Sequence, residues 1–371
     1  MSVFNEVANY WMEGALRTFE AAADGFATAD PEPVTPYNVV YEGGKVSLRH
    51  YRSAVRRHAT PLLVVYALIK RPFILDLQPG KSVIEVLLAH GFEVYLVDWI
   101  PPSLNDAGRG FDTYVNQDLA NAVRAVQIAE NTERVNLLGY CFGGLLSLLY
   151  TALHQDNVRN LVTLATPFDM GVRELPFYHL FDGMLDSTIN LMTTVYGNCP
   201  AWTINAMFTA MSPVHHAFDK YVGLYRNAER EGYADMFELF ERWMRSDVPL
   251  AGRIFRELTL ELYKRNALVK GGFKVGNRTV ELNHLTCPLL NVVAELDDVV
   301  HSSSSLALSE FVGSDDRRNL TFPTGHIGAV VGSAAITKLW PQVANWLAER
   351  SISLDEHDDQ IRADNAGTGA K

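Results

Sequence analysis

Cysteine is scarce in this chain, and its spacing excludes two common uses of the residue. Only Cys141, Cys199 and Cys287 occur among 371 residues. An odd number of widely separated cysteines does not make a disulfide framework, and no CxxC pair or His/Cys cluster indicates a metal site. We therefore expect no metal, a reducing cytoplasmic compartment, and at least one cysteine free for chemistry.

Basic clusters and long apolar runs are also missing. The formal net charge is −11, and no basic patch offsets it, which argues against a nucleic-acid partner. The uncharged stretch 137–153 has only 17 residues and is interrupted by three glycines, so it does not suit a transmembrane helix. The N-terminus lacks a basic region before its apolar residues, and we expect no signal peptide.

The chain does have the composition of a large folded core, with 48% hydrophobic and 20% charged residues. After a predicted hairpin at 39–51, short apolar strands alternate with helices. This alternation predicts an α/β fold whose mostly parallel sheet carries helices on both faces. The predicted strands are 62–67, 94–97, 135–138, 158–163, 289–293 and 320–322, and the predicted helices are 82–90, 114–128, 144–153, a segment near 304–311 and one ending near 346.

Three segments depart from this alternation. Residues 1–34 are predicted to form an amphipathic helix and a proline-rich linker. Residues 167–285 are rich in aromatic residues and methionine and mostly helical in pattern. We interpret them as a cap inserted into a main domain of residues 35–350. The polar residues 351–371 are expected to be disordered.

The segment Gly139-Tyr140-Cys141-Phe142-Gly143 lies between a predicted strand and a predicted helix. This G-x-C-x-G pattern is typical of the nucleophile elbow of the α/β-hydrolase fold, where a strained turn exposes the nucleophile. Small residues on either side allow the strand and the helix to approach closely. A core cysteine in a glycine-rich bend is the alternative, but the context favours Cys141 as a nucleophile.

A thiol nucleophile needs a base, and the base needs an orienting group. The fold places them in the order nucleophile, acid, histidine. Asp297 follows the predicted strand 289–293, and His326 lies in a glycine-flanked loop after the last strand. We predict these two as the acid and the base, with Asp298 as the competing acid. The backbone N–H groups of Phe142 and Ile69 are expected to form the oxyanion hole.

Several longer stretches resemble the polyhydroxyalkanoate synthase family. The G-x-C-x-G-G box and the FPTGHIG motif around His326 are the most specific of them. The likeness extends over about residues 35–350 and is carried by the cysteine box, residues 65–72, 74–79, 95–99, 218–224 and 322–346.

This resemblance implies that Cys141, Asp297 and His326 act together, without a cofactor. It also implies that (R)-3-hydroxyacyl-CoA, in particular 3-hydroxybutyryl-CoA, is polymerised to a polyester with release of CoA. From the length of the chain, we expect no counterpart of the long N-terminal domain of the larger synthases. It is therefore similar to the short-subunit, class III-like kind, which works with a second, non-catalytic subunit at cytoplasmic polyester granules.

Two other functions stay open at this point. A cysteine-dependent esterase or thioesterase of the same fold would have the same elbow and the same order of residues. An inactive hydrolase-fold protein that serves as a granule scaffold is the alternative outside enzymology. The intact order of nucleophile, acid and histidine argues against the scaffold, because a scaffold does not need it.

Overall fold

The computed structural model describes residues 31–211, 233–357 and 359. The helix predicted within residues 1–34 and the tail beyond residue 359 lie outside the described residues. Directly after the predicted linker, the backbone N–H and the hydroxyl of Thr35 both donate to the Asp76 carboxylate at 2.9 Å. Within the described residues, no helix is both long and apolar enough to cross a membrane.

An eight-stranded sheet forms the centre of the molecule. Its strands are β1 (Asn38–Gly43), β2 (Val46–Tyr51), β3 (Leu62–Val65), β4 (Val94–Trp99), β5 (Val135–Tyr140), β6 (Val158–Leu164), β9 (Leu289–Ala294) and β10 (Arg317–Phe322), and a separate hairpin consists of β7 (Lys274–Val275) and β8 (Arg278–Thr279). The order in the sheet is β1-β2-β4-β3-β5-β6-β9-β10. β2 is antiparallel to both of its neighbours, and the other pairs are parallel. The predicted α/β class is confirmed.

The composition of the central strands explains their position. β3 reads Leu-Leu-Val-Val, and every residue of β3, β5 and β9 is buried. Continuous apolar runs of this kind suit a parallel sheet that is covered on both faces. The helices of the main domain are α1 (Val83–Ala89), α2 (Phe111–Thr113), α3 (Ala120–Glu130) and α4 (Phe142–His154), and, after β9, α11 (Ser302–Leu306), α12 (Leu308–Phe311), α13 (Gly328–Val331) and α14 (Trp340–Ala348).

The chain between β6 and β9 is mostly helical where it is described. Its helices are α5 (Pro176–Gly183), α6 (Asp186–Tyr196), α7 (Ala201–Met211), α8 (Tyr233–Met244), α9 (Gly252–Glu257) and α10 (Ala267–Lys270), with a π-helical segment at Leu258–Lys264. Two backbone hydrogen bonds between Cys199 and Leu250, with N···O distances of 2.8 and 3.0 Å, join the chain just before α7 to the chain after α8. The hairpin β7–β8 in this segment was not predicted.

The structure differs from the predictions near the C-terminus. The helix expected near 304–311 is divided into α11 and α12, and β10 begins at Arg317. Residues 351–357 are not detached from the main domain. The N–H of Ile352 donates to the Thr60 hydroxyl at 3.0 Å, and its carbonyl accepts from Ala59 at 2.9 Å. These two hydrogen bonds give the first residues of the polar tail a fixed place beside the sheet.

Candidate active site

Cys141 lies where the strand order of the sheet reverses. β3 pairs with β4 on one side and with β5 on the other. In open α/β sheets, ligands bind beyond the carboxyl ends of the strands at such a point. Cys141 directly follows β5 and precedes α4, with φ 54° and ψ −123°. Positive φ is strained for a residue with a side chain and costs about 1–3 kcal/mol, so the surrounding structure must hold it.

Two glycines allow this turn to form. A Cβ atom on Gly143 would lie 2.2 Å from the carbonyl oxygen of Val65, and a Cβ on Gly139 would lie 2.4 Å from the Cα of Gly144. Both distances are too short for a side chain. The end of β5, the start of α4 and the end of β3 can therefore approach one another only because these positions are glycine.

His326 and Asp297 form a buried pair at the same edge of the sheet as Cys141. They follow β10 and β9, which are parallel neighbours. The Nδ1–H of His326 donates to Oδ2 of Asp297 at 2.7 Å, and only 6% and 1% of the two side chains are exposed. The other carboxylate oxygen, Oδ1, accepts the backbone N–H groups of Val299 and Val300, each at 2.8 Å. Both carboxylate oxygens are thus already engaged.

The adjacent Asp298 is exposed. The structure therefore brings Asp297, and not its competitor, to His326. Because Nδ1 donates to Asp297, Nε2 is the ring nitrogen left for Cys141, whose charge acts on the imidazole. Burial by itself would lower the pKa of His326. The charges of Asp297 and Cys141 and the hydrogen bond to Asp297 outweigh burial and raise that pKa well above 6.5. The imidazole is consequently able to hold a proton at neutral pH.

The other two cysteines have a different environment. Burial raises the pKa of both Cys199 and Cys287 to about 12. A thiol with such a pKa stays protonated at neutral pH and is a poor nucleophile. Cys287 and Cys141 are both partly buried, but Cys141 differs because it lies beside His326, whose pKa responds to the charge of Cys141.

The two predicted oxyanion donors flank Cys141. Phe142 is the first residue of α4, so its N–H has no acceptor within the helix. Ile69 lies in the loop after β3, across the point where the strand order reverses. Both residues line a cavity together with Cys141. The rest of the lining is almost entirely apolar and is supplied by Pro167, Phe177, Phe181, Ile204, Met207, Phe208, Leu250, Phe255, Leu258, Tyr263, Val299 and Val300.

Sequence reasoning missed a tyrosine next to the site. The Tyr140 hydroxyl donates to the backbone carbonyl of His326 at 3.2 Å. The two rings also contact each other, with centroids 5.1 Å apart. Tyr140 therefore supports the histidine through both its ring and its hydroxyl. The only signal in the sequence was its position directly before Cys141.

Among the residues that the structure describes, one group of side chains has the composition of a metal site. His50, Glu93 and Glu130 place one ligand atom each within 4.8 Å of one another. These groups are already paired, since His50 Nε2 is 2.7 Å from Glu93 Oε2 and Arg56 is 2.7 Å from Glu130. Because β2 pairs with β4, the group lies near the amino end of β4, at the end of the parallel strands opposite to Cys141. We interpret the group as a buried ion-pair network.

The fold and the elbow define the class of protein. The sequence profile described as alpha/beta hydrolase fold matches residues 60–332. A putative lipase from Sulfolobus solfataricus superposes with a TM-score of 0.57, over 83% of this chain and 92% of its own, at 16% identity. A monoacylglycerol lipase from Paleococcus ferrophilus gives a TM-score of 0.54, over 83% and 100%, at 15% identity. At such identities the likeness shows the fold alone, and that fold is the α/β-hydrolase fold.

Named relatives define the family more narrowly. The Poly(3-hydroxyalkanoate) polymerase subunit PhaC of Haloarcula marismortui is 34% identical over 97% of this chain and 79% of its own. The subunits of the same name from Haloferax mediterranei and Allochromatium vinosum are both 36% identical, over 91% and 85% of this chain and 70% and 89% of their own. The chain belongs to the family of poly(3-hydroxyalkanoate) polymerase PhaC subunits. The resemblance seen in the sequence is thereby confirmed.

Proposed function

We propose that this chain polymerises (R)-3-hydroxyacyl-CoA, in particular 3-hydroxybutyryl-CoA, into polyhydroxyalkanoate with release of CoA. Its membership of the PhaC family supports this reaction. We further propose that the growing acyl group is carried as a thioester on Cys141. The observation that carries this mechanism is the buried Asp297–His326 pair beside a cysteine held at positive φ. No cofactor is required, because the substrate thioester is already activated.

In the first step, the Cys141 thiolate attacks the carbonyl carbon of the acyl-CoA thioester. The N–H groups of Phe142 and Ile69 stabilise the oxyanion that forms. The carbon–sulfur bond to CoA then breaks, and the protonated His326 donates its proton to the departing thiolate. One thioester replaces another, so this exchange is close to thermoneutral. Its products are acyl-Cys141, neutral His326 and free CoA.

In the second step, the 3-hydroxyl of an acyl chain attacks an acyl group held on Cys141. His326, now neutral, takes the hydroxyl proton, an oxoester forms, and the Cys141 thiolate leaves. Conversion of a thioester to an oxoester is downhill and drives chain growth. Asp297 already uses one carboxylate oxygen for His326 and the other for two backbone N–H groups. This arrangement supports an orienting role for Asp297 rather than direct contact with the hydroxyl.

Water competes with the hydroxyl for the acyl group. The apolar lining of the cavity, which includes Phe177, Phe208 and Tyr263, supports polymerisation over hydrolysis because it disfavours water beside Cys141. A thioesterase with the same residues would need water at that position. The buried Asp297–His326 pair beside Cys141 also supports an enzyme over an inactive scaffold, because a scaffold does not need an oriented histidine next to a strained cysteine.

The test is to incubate the purified chain with 3-hydroxybutyryl-CoA and to measure free thiol and insoluble polyester together. Cys141→Ala should abolish both products while leaving the circular dichroism spectrum unchanged, because a small residue suits the elbow. Cys199→Ala is the matched control and should keep most of the activity. CoA release with soluble 3-hydroxybutyrate in place of polyester would favour the thioesterase. An active Cys141→Ala variant would refute the covalent mechanism.

We also propose that a second, non-catalytic subunit binds this chain at the granule surface in the cytoplasm. An exposed apolar patch supports this proposal: Leu191, Val195, Tyr196 and Trp202 of α6 and α7 are 63%, 64%, 48% and 54% exposed. Contiguous exposed apolar groups of this kind mark interaction surfaces. The lone chain should therefore be less active than a co-expressed complex, and should sediment with polyester granules. A lone chain with full activity and no lag would overturn the need for a partner.

A further inference from the structure

The loop that carries Ile69 contains a buried lysine to which the reaction gives no role. The Nζ of Lys70 donates to the Met244 carbonyl and to Oδ1 of Asp247, both at 2.7 Å. Only 8% of the lysine side chain and 7% of the aspartate side chain are exposed. The lysine therefore joins the loop after β3 to the turn that follows α8, although the paired residues are 177 positions apart.

Three further hydrogen bonds tie the same two segments together. The N–H of Val248 donates to the carbonyl of Ile69 itself at 3.2 Å. The indole N–H of Trp243 donates to the Arg71 carbonyl at 3.0 Å, and the Arg71 N–H donates to the Ser246 hydroxyl at 3.3 Å. The backbone from the Ile69 carbonyl to Arg71 is thus held by the end of α8 and the turn after it.

The buried ion pair between Lys70 and Asp247 makes this connection difficult to break. Burial lowers the pKa of Lys70, while the adjacent charge of Asp247 opposes the shift. A buried ammonium is stable only next to its carboxylate, so the two segments cannot separate or slide without a large energetic penalty. The second oxygen of Asp247 accepts a hydrogen bond from Asn205 of α7 at 2.7 Å. The carboxylate is thereby fixed from a second helix, independently of Lys70.

We propose that Lys70 is a positioning residue that, through Asp247, sets the Ile69 N–H at the distance needed by the oxyanion. This inference rests on the proposed function, because it takes Ile69 as an oxyanion donor for acylation of Cys141. The contact with substrate is made by Ile69, and Lys70 acts through the loop. The turn after α8 is therefore part of the acylation machinery and not only a cover above it.

The chain supplies a matched control for the test. Lys264 likewise donates to a backbone carbonyl, that of Met184, and to a carboxylate, that of Asp186, but these partners belong to the junction of α5 and α6 and not to the loop of Ile69. Lys70→Met should lower the rate of the first CoA release per Cys141 by about 10- to 100-fold, the cost of misplacing a catalytic group by about 1 Å. KM should change little, since the interaction acts on the transition state. Lys264→Met should leave both parameters near those of the unchanged chain.

Alkylation of Cys141 by iodoacetamide separates positioning from general damage. That substitution at carbon develops no oxyanion, so the Ile69 N–H contributes nothing to it. We expect Lys70→Met to be alkylated at the rate of the unchanged chain while it is acylated slowly. An unchanged acylation rate would overturn the proposal. Equal losses of rate in acylation and alkylation would also overturn it, because they would indicate general damage to the site. Faster alkylation together with a change in KM alone would overturn it too, because the contact would then only restrict access to Cys141.

Two further variants keep the test decisive if Lys70→Met does not fold. Lys70→Met/Asp247→Leu removes both charges, and buried ion pairs replaced by apolar residues often retain stability. It should still acylate slowly, and acylation at the normal rate would overturn the proposal. Lys70→Arg keeps the charge and should recover most of the lost rate. Failure of the proposed function itself looks different, because Cys141→Ala would then release CoA whatever stands at position 70.

Discussion

Replacing Asp297 with Asn is the sharpest test of the site, because both carboxylate oxygens of this side chain face hydrogen-bond donors. One oxygen faces the N–H groups of Val299 and Val300, and the other faces Nδ1–H of His326. An amide has one acceptor oxygen and one donor nitrogen. Its oxygen should stay on the two backbone groups, because reversing the amide would lose two hydrogen bonds, each worth about 0.5–1.5 kcal/mol, instead of one.

The amide nitrogen of the Asp297→Asn variant then faces His326 Nδ1. The imidazole must take the tautomer with its proton on Nε2, so it can no longer accept a proton from Cys141 or from the hydroxyl. We expect the rate of CoA release to fall by about 10²–10⁴, the worth of a positioned acid–base group. The pKa of His326, measured by NMR titration, should fall as well, since the charge of Asp297 is among the causes that raise it.

The matched control is Asp298→Asn, which makes the same chemical change one residue further along on an exposed side chain. It should leave the rate of CoA release within about twofold, as surface substitutions usually do. If Asp298→Asn loses more activity than Asp297→Asn, the acid has been misassigned. If neither variant loses activity, catalysis does not need a carboxylate to orient His326, and the role assigned to Asp297 is refuted.

Three further outcomes follow from the structure. At neutral pH, iodoacetamide should label Cys141 and spare the other two cysteines, whose pKa burial raises to about 12; peptide mass spectrometry checks this, and equal labelling would contradict it. Gly143→Ala should lower the free energy of unfolding in urea by about 1–3 kcal/mol, because a Cβ at this position would lie 2.2 Å from the Val65 carbonyl oxygen. Gly183→Ala is the control and should be tolerated, because a Cβ there would meet nothing within 4 Å. The pKa of His326 is raised in the folded state. Its contribution to stability should therefore be full below about pH 6.5, the pKa in the unfolded chain, and should decline as the pH rises through the higher pKa of the folded state. The difference in unfolding free energy between the unchanged chain and His326→Gln should shrink over the same range, and a difference that grows with pH would contradict this.

Much of the fold could be predicted because its signals are local. β3 is a continuous apolar run, and β5 and β9 are mostly apolar with one asparagine each, a composition that suits a sheet covered on both faces. The elbow was equally readable, because the glycines that allow the turn stand two residues on either side of Cys141. His326 could be named from its glycine-flanked loop and its place in the chain order. In each case, the residues that decide the structure are neighbours in sequence or are separated by a regular repeat.

Other features depended on contacts that no local pattern records. Asp297 and Asp298 are chemically identical neighbours, and only the turn after β9, closed by hydrogen bonds to Val299 and Val300, decides which carboxylate turns inward. The helices between β9 and β10 were placed less accurately, because short helices such as α11 and α12 are formed by packing rather than by propensity.

The pairing of Lys70 with Asp247 shows most clearly what the sequence alone left undetermined. By itself the sequence determined the class of fold and predicted the nucleophile and the order of its partners, since these follow from periodicity, glycine spacing and chain order. Only the tertiary structure decided that a lysine next to Ile69 meets an aspartate 177 residues away. The physical reason is that an ion pair depends on distance in space, and that distance is set only when the chain between β6 and β9 packs over the loop after β3.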